Sequence, residues 1–165
     1  MDELRDTVDL GEMVQYIVIK YGDEKYGIPI KYIDNIVKMM RVTRVPKSED
    51  FLKGVINIRG DIVPVMSMRI RMGMEPDEIT DDTCIIILRP DDAQLFGIIV
   101  DAVDRVLQLG SNQVEVVADK NRKDTGFVSG VGKCEEGLVS IFDLNSLTLE
   151  KLENDKKAAA KQQQE

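Results

Sequence analysis

The groups that could do chemistry in this chain are its carboxylates, two cysteines and a few arginines, because histidine is absent altogether. Without imidazole there is no Ser–His or Cys–His pair, no histidine metal site and no phospho-accepting histidine. Paired acids can still serve as general acid and base, and Asp101 with Asp104 is one such pair. These two flank a strand instead of converging on a pocket, and no metal-ligand set accompanies them. Most other acids fall in turn-like clusters, Gly22-Asp23-Glu24 and Pro90-Asp91-Asp92 among them, where solvated loop tips are the ordinary outcome. Cys84 and Cys134 stand alone without metal-ligand spacing, and no glycine loop of the phosphate-cradling kind is present. Catalysis is not expected. What remains is binding, and "GVINIRGDIVPVMSMR" (54–69) poses the question, since Arg59-Gly60-Asp61 interrupts two apolar runs fit for burial. Arg59 is either the solvated tip of a hairpin or a contact residue. Arginine's preference for interfaces and the room left by Gly60 favour the contact.

Charge narrows the partners. A net charge of −8 over 165 residues argues against nucleic acid, which needs clustered Lys and Arg, and against an anionic membrane surface. No signal-like segment and no apolar run of membrane-spanning length is seen, so no direct membrane insertion is expected. The cytoplasm is the natural compartment, with both cysteines reduced. An apolar fraction of 43% supports one domain, or two small lobes sharing a core.

The elements that must position these residues are short strands. "VQYIVIKY", Gly22-Asp23-Glu24 and "KYGIPI" read as a hairpin, with Pro29 marking an edge or strand end. Ser48 is expected to cap a short helix ended by Gly54. "VINIR" and "IVPVM" form a second hairpin, after which Ser67 caps a helix from Met68 to Met72, closed by Gly73. Beyond the linker "EPDEITDD" come "TCIIIL", "AQLFGIIV" and "DAVDRVLQL". A polar loop from Gly110 to Thr125 follows, with a short strand possible at "VEVV". "GFVSGVGK" and "LVSIF" make a last hairpin, and Asp143 is expected to cap a C-terminal helix over 144–154. The eight methionines cluster mostly from Met39 to Met74, as adaptable surface or as core filling.

The two halves repeat. "YGIPIKYIDNIV" from Tyr26 aligns with "FGIIVDAVDRVL" from Phe96, an offset of 70 residues, and "DIVPVMSM" from Asp61 aligns with "GLVSIFDL" from Gly137, an offset of 76. Kept in order, the two matches favour a duplication. About five short strands per half would close into a small barrel without exposed edges. The layout expected is an N-terminal arm (1–13), a first barrel over about 14–74, a second over about 83–142, with exchange of elements between lobes left open, the helix 144–154 and a disordered tail (155–165).

With these residues in view, the chain resembles the CheW family of chemotaxis adaptors. The resemblance rests on "YGI" (26–28), "VTRVP" (42–46), "FLKGVINIRGDIVPVMSMR" (51–69) and "FGIIVDAVDRVL" (96–107), and runs from about Val14 to Leu149. It implies a mainly β fold of two side-by-side five-stranded Src-homology-3-like barrels with short helices. It also implies no catalysis and no cofactor. The implied role is joining the helical hairpin tips of methyl-accepting chemoreceptors to the histidine kinase CheA, in the cytoplasm at membrane-associated arrays. Three departures stand out. Ser67 and Met68 replace the family's common Asp-Leu. Pro29 replaces a polar residue. Asn35 stands where relatives often carry a Glu that pairs with the arginine equivalent to Arg59, so here Arg59 is held more weakly or freed for a partner.

On this reading the receptor groove comprises Ile33, Asn35, Ile36, Arg59 and Gly60 with Cys84, Gly97, Val103 and Val106. Ordinary core burial is the competing account of its aliphatic members. Arg44, Val45 and Gly54 are the kinase-facing candidates. Two rival functions are a regulatory module detached from a CheA-type kinase, or a generic interaction barrel. The lack of histidine and of an ATP-binding half favours the free adaptor.

Overall fold

The computed structural model of the chain describes residues 11–91, 94–116 and 127–147. Runs of β-branched and aromatic residues broken by turn residues give strands throughout. In chain order these are β1 (Met13–Tyr21), β2 (Glu24–Pro29), β3 (Ile33–Lys38), β4 (Leu52–Ile58) and β5 (Asp61–Ser67), then the helical turn α1 (Met68–Arg71). There follow β6 (Cys84–Leu88), β7 (Phe96–Val100), β8 (Ala102–Gly110), β9 (Val114–Val116), β10 (Val128–Cys134) and β11 (Gly137–Phe142). Ser67 caps α1, its hydroxyl accepting from the Ile70 amide at 3.2 Å. β2 ends at Pro29, which has no amide to continue a ladder.

Two expected helices are corrected. The stretch from Ser48 turns without forming a helix: Ser48 Oγ donates to the Val45 carbonyl at 2.8 Å, and the chain is extended from Leu52 by pairing with β5. A segment this short cannot repay helix nucleation once a strand partner is available. Asp143 gives no side-chain cap and is followed by a 3-10 turn, Leu144–Ser146. Its backbone is committed elsewhere, with its amide donating to the Phe127 carbonyl at 2.8 Å. The remainder of the expected 144–154 helix, the tail, most of the N-terminal arm and most of the 110–125 loop lie outside the described residues.

The strands form two sheets, in the orders β8-β1-β2-β11-β10-β9 and β3-β6-β7-β5-β4. The sheets are therefore not built from contiguous halves, and the boundaries 14–74 and 83–142 do not delimit the lobes. Each lobe takes its first hairpin from one half of the chain and its remaining strands from the other. β1–β2 sits with β8–β11, and β6–β7 sits with β3–β5. The six-stranded lobe has β9 on β10, where the five-stranded lobe has only a bridge from Thr43 to Val55 on β4.

Register shows the duplication directly. The parallel pair β5–β7 sets Val65 opposite Gly97, and the parallel pair β11–β2 sets Ile141 opposite Gly27, the counterparts under offsets of 76 and 70. A bulge leaves Asp34 without a partner in β3–β6, and another leaves Asp104 without one in β8–β1. Each lobe has its own small core: Ile56, Val63, Val65, Ile85, Ile87 and Ile99 in the five-stranded lobe, and Tyr16, Val18, Leu109, Val139 and Ile141 in the six-stranded one. A third and larger cluster lies between them and draws on both, including Ile19, Tyr21, Met66, Leu88, Phe96 and Phe142. Tyr21, fully buried, donates its hydroxyl to the Ile99 carbonyl at 2.8 Å and so ties β1 to β7 across that shared core.

Gly54 lies in this frame at φ 145°, and a Cβ there would meet the Thr43 carbonyl oxygen at 2.1 Å. Gly60 has φ 88° but open space around it. Gly54→Ala should thus cost roughly 2–4 kcal/mol from backbone clash and strain, a fall of roughly 5–15 °C in melting temperature. Gly60→Ala should cost only about 1 kcal/mol for its left-handed backbone. Parallel thermal melts of the two variants check the contrast, and equal losses would overturn it.

Candidate functional site

The repeat offsets identify a pair of equivalent seams, one in each lobe. In the six-stranded lobe Arg105 of β8 reaches the β10–β11 turn, where its Nη1 donates to Glu136 Oε1 at 2.6 Å. Lys25 lies 3.6 Å from Glu136 and 3.3 Å from Asp104, so the charges form a lattice across β2, β8 and the turn. Arg105 Nη2 also lies 3.8 Å from Cys134 Sγ. Single surface pairs contribute little, but a network with shared members holds the seam closed.

The same positions in the five-stranded lobe are Asn35, counterpart of Arg105, and Arg59-Gly60, counterparts of Glu135-Glu136. No clasp forms here. Asn35 Oδ1 accepts from the neighbouring Ile36 amide at 2.9 Å. Arg59 is exposed at φ 53°, and Gly60 donates its amide to Asn57 Oδ1 at 2.9 Å. Two successive positive φ values make a type I′ hairpin turn, which suits the twist of β4–β5. Among the described residues the Arg59 side chain makes no hydrogen bond or ion pair. Of the two outcomes left open for Arg59, the geometry shows the free one.

The other expected groove residues divide. Ile36 is 40% exposed, Val103 38% and Val106 56%. Ile36 lies on β3 and the valines on β8, which are outer strands of two different sheets and do not pair with each other. The structure thus offers them as equivalent faces, one per lobe. Ile33 packs half-buried against the shared core, and so does Cys84, whose thiol is pushed up in pKa by burial. Gly97 is corrected from groove to core: it is buried, and a Cβ there would meet Ile85 Cγ2 at 2.8 Å. Gly54 is likewise buried under Thr43 and presents no surface. Arg44 and Val45 do line a hollow of about 440 Å³, with Lys47, Lys53, Leu52 and Ile70.

Asp101 and Asp104 face different partners. Asp104 faces Lys25 and Lys20, whereas Asp101 accepts from Arg69 Nε at 2.8 Å and from the Gly22 amide at 2.7 Å. Arg69 Nη1 further donates to the Glu75 carbonyl at 3.2 Å. This tie, missed in the sequence, pins the crossing from β7 to β8 against α1 and the β1–β2 turn. Among the described residues no group of acids and cysteines is arranged to hold a metal ion. Nor is any helix among them long and apolar enough to cross a membrane.

This fold of two lobes is matched in known proteins. A family model, the CheW-like domain, matches residues 15–151. The chain belongs to the CheW-like family. It is 32% identical over 142 residues to the chemotaxis protein CheW of Bacillus subtilis, covering 86% of this chain and 90% of that one. It is 30% identical over 139 residues to CheW of Helicobacter pylori, covering 84% of each. The crystal structure of the scaffolding protein TtCheW from Thermoanaerobacter tengcongensis superposes with a TM-score of 0.74 at 31% identity, over 80% of this chain and 90% of that one. The two-barrel fold and a scaffold role in chemotaxis follow. These relatives, CheW proteins matched over most of both lengths, disfavour a module detached from a kinase.

The Arg69 hydrogen bond holds the Asp101 carboxyl below the usual carboxylate value, against an opposing push from partial burial. A pKa depressed by folding gives stability that is present above the unfolded value and is lost as pH falls through the folded one. Asp101→Asn should therefore lower stability by about 1–2 kcal/mol at neutral pH, after allowing for solvent screening. The gap to wild type should close in acid, below the normal carboxylate range. Denaturant unfolding over a pH series checks this, and a gap independent of pH would assign the loss to packing instead.

Proposed function

We propose that this chain is a non-enzymatic adaptor that joins the histidine kinase CheA to the helical tips of chemoreceptors. In this reading it works in the cytoplasm and reaches membrane-associated arrays through its partners. The observation that carries the reading is the unclosed seam of the five-stranded lobe. There an unpaired Arg59 stands on an exposed hairpin while its counterpart seam is occupied by Arg105 and Glu136. A free guanidinium is a strong donor site for a partner carboxylate, since its fork matches carboxylate geometry. Exposed Ile36, on β3 beside Asn35, supplies an aliphatic contact of the kind a receptor helix can bury, and Val103 and Val106 supply the equivalent on β8. The hollow at Arg44 and Val45 is the kinase-facing surface in this reading.

Arg59→Ala should leave the melting temperature unchanged and weaken receptor–CheA assembly by about 1–3 kcal/mol, the loss of a charge-assisted hydrogen bond. Arg59→Glu should be worse, because repulsion is added. Asn35→Glu should raise the stability of the free protein slightly and also weaken assembly, by engaging Arg59 internally. Co-sedimentation and kinase activation with folded variants measure all three, and full activation by both Arg59 variants would falsify the contact. Mixed with phosphorylated CheA, the chain should acquire no label, and stoichiometric labelling would end the non-enzymatic reading.

A further inference from the structure

One guanidinium is enclosed where the lobes meet. Arg71, the last residue of α1, has its Cζ 5.2 Å from the Phe51 ring centroid and 4.8 Å from that of Phe127. Its Nη1 donates to the Leu147 carbonyl at 3.1 Å and its Nη2 to the Ser146 carbonyl at 3.4 Å. The two rings are counterparts under the offset of 76, and their backbones do the same work. The Phe51 carbonyl accepts from the Ser67 amide at 2.7 Å, and the Phe127 carbonyl from the Asp143 amide at 2.8 Å. Arg71's own counterpart is Leu147, whose carbonyl it binds. A single side chain from one half thus grips both copies of the repeated motif. Phe51 and Phe127 also pack on the shared core, in which Leu147 is fully buried.

We infer that Arg71 is a latch that fixes the two lobes against each other. The delocalised guanidinium suits the place, since it presents flat faces to two rings while its edge donates to two carbonyls. A lysine can keep the charge near a ring but cannot span both carbonyls, and a glutamine reaches neither ring with a cation. The consequence for an adaptor, that its lobe surfaces keep a fixed relation, rests on the function proposed above. The latch itself does not, and it is tested without any partner.

Amide hydrogen exchange on the full chain is the measurement. In Arg71→Gln the amides of Asp143, Ser146 and Leu147, with Met72 and Gly73 of the α1 end, should exchange about tenfold faster through local opening. The barrel-centre amides of Val18 and Ile85 should stay within about twofold of wild type. Arg71→Lys should fall between the two. Phe127→Leu, which removes one ring and leaves the guanidinium, should speed the same amides by a smaller factor and remains informative if Arg71→Gln folds poorly. No change at the seam in any variant, or a uniform rise that includes Val18 and Ile85, overturns the latch and leaves Arg71 as ordinary packing.

Discussion

The parallel pairings β5–β7 and β11–β2 are the constraint on which the rest of the molecule depends, because no half of the chain can make either one alone. Each sets a glycine against a branched residue, Gly97 opposite Val65 and Gly27 opposite Ile141. A Cβ at Gly97 would press on Ile85 Cγ2 at 2.8 Å, and one at Gly27 would crowd the tip of Ile141, Cδ1 at 3.0 Å. Parallel strands cannot be joined by a tight turn, so each pairing is made by a hairpin that the other half contributes. The exchange forces the chain to cross between lobes after β2 and after β7. Those crossings enclose the third core, and Tyr21, Arg69 and Asp101 are placed to tie it. Both lobes are therefore incomplete without each other, and the larger core is lost if they part.

On this symmetric frame the side chains are not symmetric. The bulges at Asp34 and Asp104 are equivalent, and each aspartate meets a cation, Arg89 at 3.2 Å in one case and Lys25 at 3.3 Å in the other. One position further along, the lobes diverge. Arg105 closes its seam on Glu136, whereas Asn35 turns its amide oxygen to its own strand and Arg59 is left outside. The ladders of the two seams share a register, but their turns differ: Arg59 and Gly60 both have positive φ, whereas in the β10–β11 turn only Gly137 does. Turn geometry and side-chain chemistry together set which seam is shut and which is open.

Much of this was legible in the residues. Strand-rich patterning, the turn residues and the two offsets identified the duplicated β fold, and the run around Arg59 identified the family. Exchange of hairpins was not legible, because a repeat says which segments are alike and is silent on which copy pairs with which. Gly54 and Gly97 were read as surface for a related reason: a glycine shows no side-chain preference, and only the backbone reveals that something presses on it. The Ser48 helix failed because strand pairing overrode a local capping signal, while the Ser67 helix formed, since no strand competes for Met68–Arg71. Arg105 and Glu136 could have been found from the sequence by applying the offsets to Asn35 and Gly60, the step that turns a repeat into a prediction about contacts.

The paired exposures of Ile62 and Leu138, 64% and 66%, carry the symmetry to the surface. Each is the second residue of its strand, β5 or β11, at equivalent places on the two lobes. The turns before them differ in charge: the first carries Arg59 with the exposed Asp61, and the second carries Glu135 and Glu136. A partner carboxylate that reaches Arg59 gains an attraction at the first hairpin, whereas the two glutamates of the second would repel it. Discrimination of this kind needs an unfavourable contact as well as a favourable one. Duplication supplies the shape twice, and divergence of a few charged residues gives the two copies unlike surfaces. Two faces of unlike charge, held in one fold, suit a scaffold role.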